Sequence, residues 1–156
     1  MITIALTQLN QIKAHASATY PEECCGVLFG EEGESGKIVR EILDIPNAKE
    51  ENRERRFLIT PEEYRRSEQE AERLGLEVLG FYHSHPDHPA RPSQFDLEHA
   101  MPWWSYVIVS VKKGMPADVT SWSLDDDRRE FREEKIAVDE REARRVMPGV
   151  GSGGML

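Results

Sequence analysis

The chain contains few cysteines and has no long apolar run. Its two cysteines, Cys24 and Cys25, are neighbours, so they cannot form an ordinary cross-link between distant segments, as expected in a reducing compartment. No apolar stretch approaches the roughly 20 residues needed to cross a bilayer, and the first residues lack the basic region and apolar core of a signal peptide. We therefore expect a cytoplasmic protein without a membrane partner.

A basic cluster is also missing. The 156 residues include 20 Lys and Arg against 29 Asp and Glu, which gives a net charge of -9. The electrostatic footprint of a nucleic-acid-binding protein is therefore absent, and we expect no nucleic-acid partner. The length corresponds to one domain with a single core, and 38% hydrophobic with 31% charged residues is the composition of an ordinary soluble protein.

Two histidines follow an apolar stretch at residues 77–82, which is typical of a buried strand. Side chains alternate between the two faces of a strand, so His83 and His85 are expected to point the same way and to reach one ion. Pro86 cannot donate to a sheet ladder and should end the strand. The histidines should then lie at a sheet edge that faces a crevice.

A helix start follows the histidines after a short loop. Ser93 comes directly after Pro92 and is a good helix N-cap, and Asp96 lies three residues later on the same face of the first turn. Two imidazoles and one carboxylate suit zinc in the three-ligand pattern of catalytic sites, where water occupies the fourth position. The sequence therefore predicts one zinc ion, with a bound water, held by His83, His85 and Asp96.

The pattern His-x-His-Pro at residues 83–86, followed by Ser-x-x-Asp at residues 93–96, resembles the signature of the JAMM (MPN-plus) metalloprotease family. The resemblance extends to residues 21–30 and covers most of residues 1–138. It implies an α/β protein with the MPN (cytidine-deaminase-like) fold, in which helices flank a mixed central β-sheet. We expect this metalloprotease domain to span residues 1–138, and residues 139–156 to form a charged and then glycine-rich tail.

Two acidic residues, Glu22 and Glu23, are candidates for a general base, and neighbours on an extended segment face opposite ways, so the residues alone leave both open. The resemblance implies Glu23, because the family's Pro-x-Glu-x-Cys-Gly arrangement fits residues 21–26. It also implies that Ser93 hydrogen-bonds the developing oxyanion, whereas the residues alone explain Ser93 equally well as a helix cap. Cys24 and Cys25 are expected to be buried and inert.

The resemblance implies a zinc-dependent peptidase that hydrolyses the peptide or isopeptide bond after the C-terminal diglycine of a ubiquitin-like protein. It is similar to the small prokaryotic branch that acts on sulfur-carrier proteins, releasing a cysteine or a short tail. The main alternative is a non-catalytic MPN-type interaction module. A cysteine hydrolase that uses Cys24 or Cys25 is a second alternative. A zinc nucleobase deaminase is a third, but the Pro-Cys-x-x-Cys ligands of that class are absent from this sequence. The carrier and the oligomeric state stay open, with a homodimer as one option.

Periodicity and breakers predict the remaining elements. Helices are predicted over residues 7–20 and 61–74, the second with a Thr60 cap, a proline at its first position and Gly75 as its end. The helix that carries Asp96 is predicted to continue to Met101. Strands are predicted over residues 37–45, 105–111 and 118–124, and residues 131–138 fit an edge strand or a helix.

Overall fold

A mixed β-sheet with helices on both faces forms the part of the chain that the structure describes, which is residues 1–46, 59–127 and 130–140 of this computed structural model. The elements are β1 (Ile2–Ala5), α1 (Leu6–Thr19), β2 (Cys25–Gly33), β3 (Gly36–Ile45), α2 (Pro61–Leu74), β4 (Glu77–Pro86), α3 (Gln94–His99), β5 (Ser105–Lys112), β6 (Met115–Leu124), β7 (Phe131–Glu134) and β8 (Ile136–Asp139). The predicted α/β architecture is confirmed. None of the helices within these residues is long and apolar enough to span a membrane.

The strand that ends in the two histidines lies inside the sheet. The strand order is β7-β6-β5-β4-β2-β3-β1-β8, with β4 antiparallel to β2 and parallel to β5. The strand ends at Pro86 as predicted, and the histidines lie at its carboxyl end, where the sheet borders a cavity, although β4 itself is an interior strand. Pro86 is tolerated there because it is the last residue of β4, where a missing donor ends the ladder without breaking it.

The two faces of the sheet carry separate apolar clusters. Tyr82 and Val107 pack on one face with residues of α1, whereas Phe81 and Tyr106 pack on the other with residues of α2 and α3. Alternation along β4 places His83 on the same face as Phe81. The imidazoles therefore point toward α3, which follows β4 in the chain.

Local signals located some helix ends well. The second helix spans the predicted residues because Thr60 Oγ1 accepts a 3.2 Å hydrogen bond from the backbone N–H of Glu63, and Gly75 adopts the left-handed conformation at its end. The helix that carries Asp96 is shorter than predicted and ends at His99. Ala100 is already extended, and the residue before Pro102 is disfavoured from helical geometry, so the helix stops early.

Long-range pairing produced the elements that the sequence left open. The first strand, β1, was not predicted, and it pairs in parallel with both β3 and β8. The ambiguous residues 131–138 form β7 and β8, which Lys135 separates and which pair with β6 and β1 respectively. The boundary between the domain and the tail at residue 138 stays a prediction, because most of the expected tail lies outside the described residues. The charged stretch at residues 49–56 also lies outside them.

Candidate metal and catalytic site

The register between β2 and β4 brings Glu23 to the histidines. Cys25 pairs with His83, and next to this pair the backbone N–H of Cys24 donates to Ser84 Oγ at 2.8 Å while the backbone N–H of Ser84 donates to the Cys24 carbonyl at 3.1 Å. Continuing this antiparallel register places Glu23 beside the end of β4. Glu23 is buried, whereas Glu22 is exposed.

The three predicted metal ligands converge on one point. His83 Nε2 lies 3.1 Å from His85 Nε2, and each of these nitrogens lies 3.3 Å from a carboxylate oxygen of Asp96. Both imidazoles are buried, with 1% of His83 and 8% of His85 exposed. One donor atom from each of the three residues lies within 4.8 Å of the others, an arrangement in which a single cation can contact all three.

The protonation states at this point favour cation binding. Burial lowers the pKa of the His83 imidazole below its ordinary value, against the opposing effect of Asp96. Burial alone would raise the pKa of the Asp96 carboxyl, but the neighbouring imidazoles of His83 and His85 and a hydrogen bond from the Ser93 backbone hold that pKa well below its usual range. A neutral imidazole and an ionised carboxylate are the forms that bind metals.

A backbone carbonyl fixes the orientation of the His85 ring. His85 Nδ1 lies 2.9 Å from the carbonyl oxygen of Pro89. Because a carbonyl only accepts, Nδ1 must carry the proton, which leaves the lone pair of Nε2 directed at Asp96 and His83. Such a contact to the far ring nitrogen is the usual way in which a protein orients a metal-binding histidine.

Ser93 caps α3 and also faces the open side of the site. Its Oγ accepts a 3.1 Å hydrogen bond from the backbone N–H of Asp96, and its own N–H donates to Asp96 Oδ2 at 2.8 Å. The cap uses the hydroxyl oxygen as an acceptor, so the hydroxyl proton can be donated elsewhere. The same contacts hold the Asp96 carboxylate in place.

A cavity of about 420 Å³ opens onto these groups. Four of the five predicted site residues line it, namely Glu23, His85, Ser93 and Asp96. The fifth, His83, lines a smaller pocket that shares Phe95 and Asp96 with the cavity. The main cavity is lined by Glu23, His85, His88, Pro89, Arg91, Ser93, Gln94, Phe95 and Asp96. The buried carboxyl of Glu23, the hydroxyl of Ser93 and a group of side chains that could hold a cation therefore share one space large enough for a short peptide segment.

The two cysteines are unsuited to nucleophilic catalysis. Both are free and buried, and burial raises the pKa of Cys24 to about 11 and that of Cys25 further still. A thiol with such a pKa is protonated at neutral pH, whereas a nucleophilic cysteine needs a thiolate. The predicted inert role agrees with this environment, and the cysteine-hydrolase alternative loses its support.

Sequence reasoning missed the contacts that hold the loop after β4. It did not identify the Pro89 carbonyl as the partner of His85, or Asp87 as the acceptor for Tyr20. No residue-type signal marks a main-chain acceptor, because every residue carries one. Asp87 adopts a positive φ of 58°, and an aspartate after a proline-ended strand is a weak signal for such a turn.

Comparison with known proteins identifies the family of this chain. Residues 7–125 match the model for prokaryotic homologs of the JAB domain. The desampylase of Pyrococcus furiosus is 36% identical over 119 residues, which are 75% of this chain and 76% of that protein. The desampylase of Haloferax volcanii is 33% identical over 132 residues, 84% of this chain and 88% of that protein. A probable TtuB-protein conjugate cleaving protease of Thermus thermophilus is 31% identical over 100 residues, 64% of each chain.

Solved structures show the same fold. A protein from Desulfitobacterium hafniense is 29% identical, with a TM-score of 0.80 over 95% of this chain and 99% of that one. A JAB1/MPN domain protein from Archaeoglobus fulgidus is 22% identical, with a TM-score of 0.56 over 89% of this chain and 98% of that one. The predicted MPN fold is therefore confirmed.

Proposed function

Because this chain belongs to the family of prokaryotic homologs of the JAB domain, we propose that it is a zinc-dependent hydrolase that cleaves conjugates of ubiquitin-like proteins. Relatives at 36% and 33% identity are named desampylases, and a third is named a probable conjugate-cleaving protease. The single observation on which the proposal rests is that His83, His85 and Asp96 meet beside the buried carboxyl of Glu23.

The donor set and its spacing fit zinc. Two nitrogens and one carboxylate oxygen form the ligand set of a catalytic zinc site with one open position. Zn–N bonds of about 2.0–2.1 Å in a tetrahedral site separate two ligand nitrogens by roughly 3.3 Å, close to the 3.1 Å between the two Nε2 atoms. Zinc held by His83, His85 and Asp96 would supply Lewis acidity and a water of lowered pKa.

Glu23 carries the proton in this mechanism. Its carboxylate lies in the same cavity as the ligands, where it takes a proton from the attacking water and then delivers it to the leaving amine. Proton transfer by a positioned side chain typically contributes about 10²–10⁴-fold to the rate. Because Glu23 is buried, its carboxylate has little contact with bulk water during the transfer.

Ser93 stabilises the negative charge that develops on the carbonyl oxygen under attack. Its hydroxyl oxygen accepts from the backbone N–H of Asp96 and lines the cavity, so the hydroxyl proton is available for donation to a substrate oxygen there. Loss of one such donor typically costs about 3–4 kcal/mol of barrier. Pro89 contributes indirectly, because its carbonyl keeps the imidazole of His85 in the orientation that the site needs.

The substrate is the C-terminal tail of a ubiquitin-like or sulfur-carrier protein, cut after its diglycine, in the cytoplasm. A diglycine has no side chains, so it can enter a narrow cleft and bring its carbonyl close to buried ligands. The family assignment and the names of the relatives support this substrate class. Two free cysteines agree with a reducing compartment.

The test is cleavage of a defined conjugate. A ubiquitin-like carrier with one residue or a lysine-linked protein after its diglycine is incubated with chelator-stripped protein and with protein reloaded with one equivalent of zinc. We expect cleavage only after reloading, and a product mass that ends at the diglycine. Cleavage that persists at full rate in the stripped protein would refute the mechanism.

A further inference from the structure

A cationic side chain, that of Arg91, lines the cavity that holds the proposed catalytic groups. Arg91 and its neighbour His88 are both exposed, and both lie on the loop that joins β4 to α3. The chain as a whole carries a net charge of -9, so a cation at this place runs against the overall charge. An anionic group of a ligand is the natural partner for it.

Two hydrogen bonds hold the backbone that leads to Arg91. The N–H of Arg91 donates to the Pro89 carbonyl at 2.8 Å, the same oxygen that orients His85. The carbonyl of Ala90, which is itself buried, accepts a 2.7 Å hydrogen bond from Thr120 on β6. Arg91 is therefore positioned relative to His85 through a single carbonyl group, and ordering the loop costs little when a ligand binds.

The guanidinium of Arg91 has no carboxylate partner among the residues that the structure describes. Its planar fork of donors matches a carboxylate in a two-pronged hydrogen-bonded pair, which a lysine or histidine side chain cannot form. The cavity already contains two carboxylates, those of Glu23 and Asp96, so a third, from the substrate, needs a cation beside it. Arg91 meets that need.

We propose that Arg91 binds the free α-carboxylate of a leaving group that is a single C-terminal amino acid. In hydrolysis of such a substrate the amide C–N bond breaks and the oxygen of water joins the carbonyl carbon. The products are the carboxylate of the diglycine tail and an amino acid with its ammonium and carboxylate groups. In such an amino acid only the Cα atom separates the leaving nitrogen from the carboxylate. In an isopeptide bond the leaving nitrogen is the lysine Nζ, and four methylene groups separate it from the Cα atom. Arg91 thus favours linear substrates, an inference that rests on the proposed function.

The experiment compares three substrates that differ only beyond the diglycine. One ends in a single residue with a free carboxylate, the second carries the C-terminal amide of that residue, and the third is joined through a lysine side chain. Wild-type protein, Arg91→Gln and Arg91→Lys are assayed on each, with Arg66→Gln on α2 as a control for charge loss at an exposed arginine that does not line the cavity. His88→Gln tests the other side chain of the loop that lines the cavity.

We expect wild-type protein to prefer the acid over the amide by roughly 10- to 100-fold in kcat/KM, mainly through KM, because hydrogen bonds between charged groups are worth about that factor. In Arg91→Gln this preference falls toward one, Arg91→Lys restores part of it, and Arg66→Gln keeps it. Equal wild-type rates on acid and amide would overturn the inference. So would a preference that survives Arg91→Gln or disappears only in His88→Gln.

A binding measurement separates this inference from the proposed function. In a Glu23→Gln background the acid and amide peptides bind without being cut, so their dissociation constants can be compared with and without Arg91→Gln. Tighter binding of the acid that depends on Arg91 supports the inference even if no substrate is cleaved. Cleavage of acid and amide with equal affinities would leave the hydrolase proposal standing and overturn the role of Arg91.

Discussion

Tyr20 donates a 2.6 Å hydrogen bond from its phenol to Oδ2 of Asp87, which lies 67 residues farther along the chain. The other oxygen of Asp87 accepts a 2.9 Å hydrogen bond from the backbone N–H of Lys113. The donated hydrogen bonds lower the pKa of the Asp87 carboxyl, that from Lys113 more than that from Tyr20. Three segments meet at this carboxylate: the one before Glu23, the loop after β4 and the turn between β5 and β6.

Tyr20→Phe removes the hydrogen bond to Asp87 and keeps the aromatic ring. We expect the free energy of unfolding to fall by about 0.5–1.5 kcal/mol, the usual net value of one hydrogen bond, measured by urea denaturation. Tyr64→Phe is the control, because the Tyr64 hydroxyl forms no hydrogen bond to the residues that the structure describes. Equal losses in the two variants would mean that the Tyr20 bond contributes nothing specific.

Glu23→Gln should separate zinc binding from turnover. The amide has the size of the carboxyl but cannot take a proton from water, so we expect kcat to fall by about 10²–10⁴-fold. The zinc content, measured by elemental analysis, should stay at one ion per chain, because Glu23 is not among the converging ligands. Glu22→Gln, at the exposed neighbour, is the control. Near-normal turnover in Glu23→Gln would remove Glu23 from its role.

Ser93→Ala tests a helix cap and a hydroxyl donor at once, and a second helix supplies the control. Thr60 caps α2 with the same reciprocal contacts, so Thr60→Ala and Ser93→Ala should each lose about 1 kcal/mol of stability. Only Ser93→Ala should also lower kcat, by about 10²–10³-fold. If both variants lower kcat alike, the effect comes from the fold and not from the Ser93 hydroxyl.

Asp96→Asn should weaken zinc binding while keeping the shape of the site. The amide oxygen can still accept from the Ser93 N–H, but the charge that attracts the cation is lost. We expect a loss of affinity larger than the roughly 10- to 100-fold seen when a residue that only orients a ligand is changed. Competition with a chromophoric chelator measures it, and Glu98→Gln on α3 controls for the charge. Unchanged affinity would show that Asp96 is not a ligand.

Cys24 should make the protein less stable in alkali. The pKa of its thiol rises from 9.0 to about 11 on burial. Below pH 9 both the folded and the unfolded chain keep the proton, so stability is full; between pH 9 and 11 only the unfolded chain loses it, which favours unfolding. The loss approaches roughly 3 kcal/mol. Denaturation at pH 8, 9.5 and 11 measures it, and Cys24→Ala should show a shallower decline; identical declines would contradict the assignment.

The elements that the sequence predicted well are those whose signals are local. Residues 61–74 form the predicted helix because the cap, the proline and the terminal glycine act within one turn of each end. The strand β1 has only four residues and gains its partners from β3 and β8. Nothing within those four residues indicates such distant pairing, so local reading could not find it.

The candidate site divides in the same way. Alternation along one strand was enough to place His83 and His85 together, and capping placed Asp96 relative to Ser93. The position of Glu23 depends on the register of β2 against β4, and the orientation of His85 depends on a main-chain carbonyl. The location of Arg91 in the cavity depends on the path of a loop, which no periodicity encodes.

The paired contacts between Cys24 and Ser84 have a consequence for protein engineering. They hold Glu23, the proposed proton carrier, next to His83 and His85, the proposed metal ligands, through the sheet, so an insertion in either strand would separate the two halves of the proposed site. Within the loop at residues 87–92, the side chains of His88 and Arg91 can vary without removing the Pro89 carbonyl that orients His85 or the Asp87 carboxylate that accepts from Tyr20 and Lys113. Libraries that aim at a new leaving group should therefore randomise those two positions and leave Asp87, Pro89 and both strands as they are.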